Sequence, residues 1–320
     1  MNYEPKVTII IPVYNGSNFM SQAIDAALNQ TYWNIEIIVV NDGSTDGGES
    51  DRIARSYGDK IIYYHKPNGG VSSALNYALE RMSGEWFSWL SHDDLYYPEK
   101  IEKQIAFLNT LASDVNLQKT VVHCATESID KDGKVIKIPS YSDLPIEENN
   151  LDTIIGNVYN YRLSGCSFLL PHACYLDMGG FREDIRTVSD VEYWYRLLFA
   201  GYQFYCMKND ILVKNRSHGR QVGKTRVTLF DQELEALHID IADRLAESSL
   251  AGIHDMERYY LGLVKRGIRQ AARYTKQEYL DGRISAFRYH LLLPLKVVYY
   301  KALGKGRSIA RSIYRKIRVK

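Results

Sequence analysis

The first hundred residues alternate short apolar runs with amphipathic stretches. Val7 to Ile11 is a β-branched run halted by Pro12, and Ile35 to Val40 is a second run ending on Asn41-Asp42-Gly43-Ser44. Ile61 to Tyr64 and Trp86 to Leu90 form a third and a fourth. Between them Phe19, Ala23, Ile24, Ala27 and Leu28 recur at helical spacing, as do Ala74, Leu75, Ala78, Leu79 and Met82. Ile101, Ile105 and Leu108 mark a further helix opened by Pro98, and Ser17 is the expected N-cap of the first. Strands apolar on both faces, each followed by a helix, predict an α/β domain with a mostly parallel sheet and right-handed crossovers.

Residues 119–225 are less regular. Val121 to Cys124 predicts a strand, Asp130-Lys131-Asp132-Gly133 a hairpin turn, Ser167 to Leu170 a short buried strand, and Val191 to Ala200 a helix. From Thr228 the spacing of Leu229, Leu234, Leu237, Ile241 and Leu245 is helical. The expected division is therefore an α/β domain over residues 1–225 and a helical region over 226–320.

Open α/β sheets bind ligands beyond the carboxyl ends of their strands. Three polar loops fall there: Tyr14-Asn15-Gly16, Asn41-Asp42-Gly43-Ser44 and Ser91-His92-Asp93-Asp94. In the last, an apolar strand stops on two adjacent carboxylates, which repel each other. A divalent cation carrying phosphate oxygens removes that repulsion. A helix cap ahead of Pro98 also uses such residues, and the pair by itself leaves both readings open.

Five segments in order narrow the choice. Val7-Thr8-Ile9-Ile10-Ile11-Pro12-Val13-Tyr14-Asn15-Gly16, Val39-Val40-Asn41-Asp42-Gly43-Ser44-Thr45-Asp46, Asn68-Gly69-Gly70-Val71-Ser72-Ser73-Ala74-Leu75-Asn76, Ser91-His92-Asp93-Asp94 and Ser189-Asp190-Val191-Glu192-Tyr193-Trp194-Tyr195-Arg196 together resemble family 2 glycosyltransferases, inverting enzymes of the GT-A (Rossmann-like) fold. The resemblance covers about residues 5–225. It implies a nucleotide site lined by Pro12, Tyr14, Asn15, Asp42, Gly43, Ser44, Asn68 and Gly69, with Asp42 accepting the imide N–H of the base. It implies further that His92 and Asp93 stand at the donor phosphates, with Asp93 the main ligand of a Mn2+ or Mg2+ ion and Asp94 in support. His218, in Asn215-Arg216-Ser217-His218-Gly219-Arg220-Gln221-Val222, corresponds to a metal or diphosphate contact, and Arg216 to a phosphate clamp. Asp190 matches the general base, with Arg196 six residues beyond it, and its structural alternative is a helix N-cap. Ser164-Gly165-Cys166-Ser167 looks like the acceptor-side loop, and Gly179-Gly180-Phe181 like the turn that follows. Ser91 departs from the family's D-x-D, leaving Asp93 to carry most of any cation's hold. The expected reaction is sugar transfer from a nucleoside-diphosphate sugar, most simply a UDP-sugar, to a hydroxyl of a glycan or lipid-linked acceptor in cell-surface polysaccharide or glycolipid synthesis. A nucleotide-sugar-binding protein without turnover and a nucleotidyltransferase are the alternatives. The latter lacks its Gly-rich basic loop after the first strand.

Composition changes the picture at the C-terminus. Across 320 residues the hydrophobic share of 45% and charged share of 24% are ordinary for a globular chain, and the net charge is +2. Residues 286–320 nevertheless hold ten Lys/Arg and no acid, leaving 30 basic against 38 acidic residues elsewhere. Next to Leu291-Leu292-Leu293-Pro294-Leu295, too short to span a bilayer, that basic run suits an anionic membrane surface better than nucleic acid. The chain starts without a signal peptide pattern and has no apolar run of about 18 residues, so a cytoplasmic protein, peripheral at the inner membrane face, is expected. Cys124, Cys166, Cys174 and Cys206 have no metal or disulfide spacing and read as core residues in a reducing compartment. Gln270-Ala271-Ala272-Arg273-Tyr274 is similar to the Q-x-x-R-W motif of processive members, with Tyr in place of Trp. It lies in a basic helical stretch without a membrane channel, so transfer of one sugar per encounter is expected. A homo-oligomer is a further candidate partner.

Overall fold

A computed structural model describes residues 3–111, 113–138, 147–148, 150–160, 164–219, 225–248 and 251–280. Strands β1 (Val7–Val13), β2 (Ile35–Asp42), β3 (Ile62–Lys66) and β4 (Trp86–Trp89) run parallel in the order β3-β2-β1-β4. Helices α1 (Met20–Leu28), α2 (Glu49–Arg55) and α3 (Val71–Leu79) connect them, and α4 (Lys100–Leu108) follows a two-residue strand β5 (Leu95–Tyr96). Every residue of β1 is buried, as its unbroken apolar run requires.

The sheet continues through β6 (Thr120–Ile129), β7 (Val135–Lys137), β8 (Glu147–Glu148), β9 (Phe168–Pro171) and β10 (Gln203–Arg216), in the order β4-β9-β6-β10-β5. Among the described residues four strand pairings are parallel and five antiparallel. The parallel ones are the long ladders and each antiparallel one joins only two residue pairs, so the sheet is mixed but mostly parallel, as expected. The antiparallel pairs come from β5, β7, β8 and β9, strands of two to four residues. Of these, β9 is the strand expected from the apolar Ser167 to Leu170, whereas the two-residue β5 and β8 are too short to show any periodicity. The turn between β6 and β7 is the expected hairpin: Gly133 has φ +87° and the Asp130 carboxylate accepts the N–H groups of Asp132 and Lys134, both at 2.9 Å.

Ser17 does not cap α1. The cap position is Phe19, and the Gly16 carbonyl accepts the N–H groups of Phe19 and Met20 at 3.0 and 2.9 Å. Helices α5 (Asn150–Asn160), α6 (Ala173–Met178) and α7 (Ser189–Phe199) lie along the second half of the domain sequence. All four cysteines are buried and none is in a disulfide.

The chain divides into two units, residues 1–150 with 163–225, and residues 151–162 with 226–320. The segment 151–162, inside the range assigned by sequence to the first domain, therefore belongs to the second unit. That unit contains α8 (Val227–Glu247), α9 (Ile253–Arg266) and α10 (Arg269–Thr275). Leu234, Leu237, Ile241 and Leu245 are buried along α8, and the Nδ1 of buried His238 lies 2.7 Å from the Tyr259 hydroxyl. Tyr274 of the Gln270–Tyr274 segment donates its hydroxyl to Asp243 at 2.8 Å. The basic run 286–320 and residues 220–222 lie outside the described residues. No helix among the described residues is long and apolar enough to cross a membrane.

Gly84 leads into β4 where no side chain fits: a Cβ there would stand 2.5 Å from Thr8 Oγ1 and 2.8 Å from the Thr8 nitrogen and the Trp86 oxygen. Two of those atoms are backbone and cannot swing aside. Gly84→Ala is expected to cost about 1–3 kcal/mol, read as a fall of several degrees in Tm. A Tm within about 1 °C of wild type would contradict this packing.

Candidate active site

The register brings the carboxyl ends of the parallel strands to one edge, pairing Val13 with Asn41, Asp42 with Lys66, and Ile10 with Trp89. At the end of β2, Asp42 is buried. Its Oδ1 accepts from Lys66 Nζ at 2.7 Å and Gly69 N–H at 3.0 Å, and its Oδ2 from Gly70 N–H at 2.7 Å. Three of the carboxylate's four lone-pair positions are thereby used, leaving one for a ligand N–H. Asn68 Nδ2 donates to the Asp42 carbonyl at 2.9 Å, and Gly43 is indispensable beside it. Gly43 has φ +68° and a Cβ would lie 2.6 Å from the Asn68 nitrogen.

The loop after β1 is tied to the same edge. Asn15, a non-glycine residue at φ +50°, accepts the Thr45 N–H at 2.7 Å, while its own N–H reaches Ser44 Oγ at 2.9 Å. This leaves Tyr14 46% exposed, an aromatic face free to stack, while Pro12 is buried in the strand. The His92 ring donates to the Pro12 carbonyl, and burial pushes its imidazole below the ordinary value. A Cβ on Gly16 would stand 2.8 Å from His92 Cδ2, so the glycine admits the ring. His92 thus struts the β1 loop against the β4 loop.

Asp93 and His218 meet, with Oδ2 and Nε2 2.8 Å apart, and the His218 ring lies 5.3 Å from that of Phe19. Asp94 is turned inward. Its Oδ1 accepts the Arg216 N–H at 2.7 Å and its Oδ2 takes the Cys166 thiol at 3.2 Å. Burial, then the neighbouring Asp93 charge, raises the Asp94 carboxyl above the usual range. Arg216 is itself 2% exposed: Nε donates to the Asp93 carbonyl at 2.8 Å, Nη1 to the Lys131 carbonyl at 2.9 Å, and Nη2 to Gln22 Oε1 at 2.8 Å. Burial thus commits both residues to protein partners: Asp94 anchors the Arg216 N–H and the Cys166 thiol, and Arg216 clamps backbone carbonyls.

Asp93 and His218 offer one carboxylate oxygen and one imidazole nitrogen, donors that suit Mn2+ and, through the carboxylate, Mg2+. No group of three such side chains able to hold a metal occurs among the described residues. The pair fits a cation only as part of a shell that phosphate oxygens and water complete.

Asp190 stands in the first turn of α7, its Oδ1 accepting the Val191 N–H at 2.8 Å. The cap position is Val188, so the helix-cap alternative for Asp190 falls away. Part of the residue remains open to solvent, yet the carboxylate is crowded by protein, and burial raises its pKa to about 6. Ser72 at the start of α3 donates to Ser189 Oγ at 2.8 Å. Asn76 bonds both backbone groups of Phe181 at 2.8 Å, and a Cβ on Gly180 would collide with it. Arg196 secures α7 from below, donating to the Met178 and Gly180 carbonyls at 2.6 and 2.7 Å. The Asn68–Gly70 loop and Asp190 therefore share one α3–α7 support. Lys66 was not anticipated by sequence, although its place at a strand end two residues before Asn68 is a usable signal.

The fold of this α/β sheet, with Asp42 and Asp93 after its strands and Asp190 in α7, is shared by solved glycosyltransferases. S. aureus TarS 1–349 in complex with UDP-GlcNAc superposes with a TM-score of 0.64 at 16% identity, over 92% of this chain and 80% of that one. The mannosyltransferase PcManGT from Pyrobaculum calidifontis, in complex with GDP-Man and Mn2+, gives 0.54 at 16% identity, over 98% and 87%. The chain belongs to glycosyl transferase family 2, which residues 8–171 match. An uncharacterized glycosyltransferase of Rickettsia felis is 42% identical over 81% of this chain, and this chain spans only 42% of that protein's length. Another, of Rickettsia typhi, is 40% identical over 81% of this chain and 78% of its own length.

Removing the clamp should separate anchors from ligands. Arg216→Met is expected to cost about 3 kcal/mol in denaturant unfolding, since a buried guanidinium that joins several part-buried acceptors is lost. Asp93→Ala, at the partly open pair, should change stability by less than about 1 kcal/mol. Equal unfolding midpoints for the two variants would reject this division of roles.

Proposed function

We propose that the protein is an inverting, non-processive glycosyltransferase that moves one sugar from a nucleoside-diphosphate sugar, best a UDP-sugar, to a hydroxyl of a glycan or lipid-linked saccharide. The setting would be synthesis of a cell-surface polysaccharide or glycolipid. The observation that carries the reading is Asp190: a carboxylate raised to about 6, mounted on the same support as the Asn68–Gly70 loop. A base for a sugar hydroxyl needs to be ionised at neutral pH yet basic enough to take a proton. The nucleotide ligands of the two structural relatives support the donor class.

In this reading the base of the nucleotide stacks on Tyr14 and gives its N–H to the remaining lone pair of Asp42. The acceptor oxygen attacks the anomeric carbon as its proton passes to Asp190. The carbon–oxygen bond to the diphosphate breaks on the opposite face, and the configuration inverts. Asp93 and His218 would hold a Mn2+ or Mg2+ ion, which when bound supplies neutralising charge to the leaving diphosphate.

A donor panel with and without Mn2+, read by nucleoside diphosphate release, tests the reaction. Release from a UDP-sugar is expected. Pyrophosphate release would indicate a nucleotidyltransferase, and silence with every donor and acceptor a binding protein without turnover.

Asp190→Asn should abolish transfer and retain donor binding, and wild-type kcat should rise with pH through about 6. The same shift has a stability consequence. Asp190 ionises at an ordinary 3.8 when unfolded and near 6 when folded, so stability is lost as pH rises across that interval. At pH 7.5, Asp190→Asn should therefore be more stable than wild type by on the order of 2 kcal/mol, with no gain near pH 3.5. An inactive variant that melts below wild type at pH 7.5 would contradict the buried-carboxylate account.

A further inference from the structure

The ladder between β4 and β9 is short. It pairs Trp86 with Pro171 and Phe87 with Leu170, and beyond those residues the strands part. The fork leads on one side to the Asp93 loop and on the other to the turn Ser164–Ser167. Three carbonyls at the fork are met by side chains. Tyr96 donates to the Trp89 oxygen at 2.6 Å, Gln104 to the Ser167 oxygen at 2.9 Å, and Ser88 to the Phe168 oxygen at 2.6 Å.

Lys100 sits at the centre of this group and is 0% exposed. Its Nζ donates to Ser88 Oγ at 2.8 Å, Gln104 Oε1 at 2.9 Å and the Phe168 oxygen at 3.3 Å, and lies 4.2 Å from the centre of the Tyr96 ring. Three acceptors for three N–H donors describe an ammonium ion, and the ring face adds a cation–π contact. None of its hydrogen-bonding partners is a carboxylate, so the ion is retained at a cost to the fold. The two loops also touch through Cys166, whose Sγ accepts the Ser91 N–H at 3.3 Å. A spacing set by a buried charge on one side and a thiol contact on the other leaves little slack.

We propose that Lys100 is a positioning residue for sugar transfer: its buried ammonium wedges the β4–β9 fork and sets the distance between the Asp93 loop and the Ser164–Ser167 turn. This rests on the transfer reading above. Burial pushes the Lys100 ammonium down to about 8. The titratable groups facing it are the Cys124 and Cys166 thiols and the Tyr96 phenol. Burial raises all three, Cys124 to about 11, so they do not titrate in the same window.

The test compares wild type, Lys100→Met and Ser88→Ala with the donor that the panel identifies. Methionine keeps length and volume but donates nothing. It removes a buried charge that has no carboxylate partner and also leaves the Gln104 oxygen without its donor, two opposing effects, so the Tm of Lys100→Met should stay within a few degrees of wild type. Its kcat should fall about tenfold or more, because misplacement by about 1 Å can cost up to about a hundredfold. KM for the nucleotide sugar should stay within about threefold, since the β1–β3 strand ends are untouched. Ser88→Ala should fall between the two. Wild-type kcat should decline above about pH 8 as the ammonium loses its proton, and Lys100→Met should lack that limb. Wild-type kcat in Lys100→Met, or a parallel loss of Tm, kcat and donor affinity, would overturn the proposal. A wild type that releases no nucleoside diphosphate from any donor fails at the earlier step, and refutes the transfer reading without reference to Lys100.

Discussion

The guanidinium of Arg216 joins four segments distant in sequence: the end of β10, the Asp93–Asp94 loop, the β6–β7 hairpin and helix α1. Each guanidinium contact is to a backbone or amide acceptor, so one cation ties these segments together as a set. Phe19 covers the cation from above, its ring centre 4.5 Å from the guanidinium carbon, and also borders His218. Because Arg216 takes the Asp93 carbonyl and its own N–H holds the Asp94 carboxylate, Asp93 is left pointing at His218. The orientation of the open carboxylate is a consequence of how completely the other one is tied down.

The same division recurs at the other aspartates. Asp42 spends three of its four lone-pair positions on Lys66, Gly69 and Gly70, which shapes the loop and leaves one position outward. Asp190 accepts the Val191 N–H within its own turn and is held in a crowded setting that raises its pKa. Burial with many partners makes a carboxylate a structural fastener. Burial with few partners raises a carboxyl's pKa, at a cost in stability.

Much of the first half of the fold was legible in its hydrophobic pattern. Runs such as Val7 to Ile11 and Ile35 to Val40 are long enough for apolar continuity to announce strands buried on both faces. The two-residue strands β5 and β8 carry no such signal, and the antiparallel pairing of β9 could not be read from its apolar run. Ser17 illustrates the limit at the level of one residue. It has the chemistry of a cap, but the close approach of Gly16 to His92 accompanies a turn in which backbone groups replace it. Among candidate site residues, local motifs drew attention to Asp42, Asp93, His218 and Asp190, while the protein partners of Asp94 and Arg216 could not be read from motif position. An aspartate pair reads the same whether one carboxylate or both face outward.

By itself the sequence determined where strands end, which polar residues follow them and that these make a family 2 glycosyltransferase, because those features depend on neighbours within a few positions along the chain. Tertiary structure alone decided which polar groups remain open. Lys66 reaches Asp42 across 24 residues, Arg216 reaches Asp93 across 123, and Lys100 reaches Phe168 across 68. Hydrogen bonds and burial are settled between segments that only the folded sheet brings together. A side chain's chemistry is given by its type, and its role by which of its atoms the fold leaves unspent.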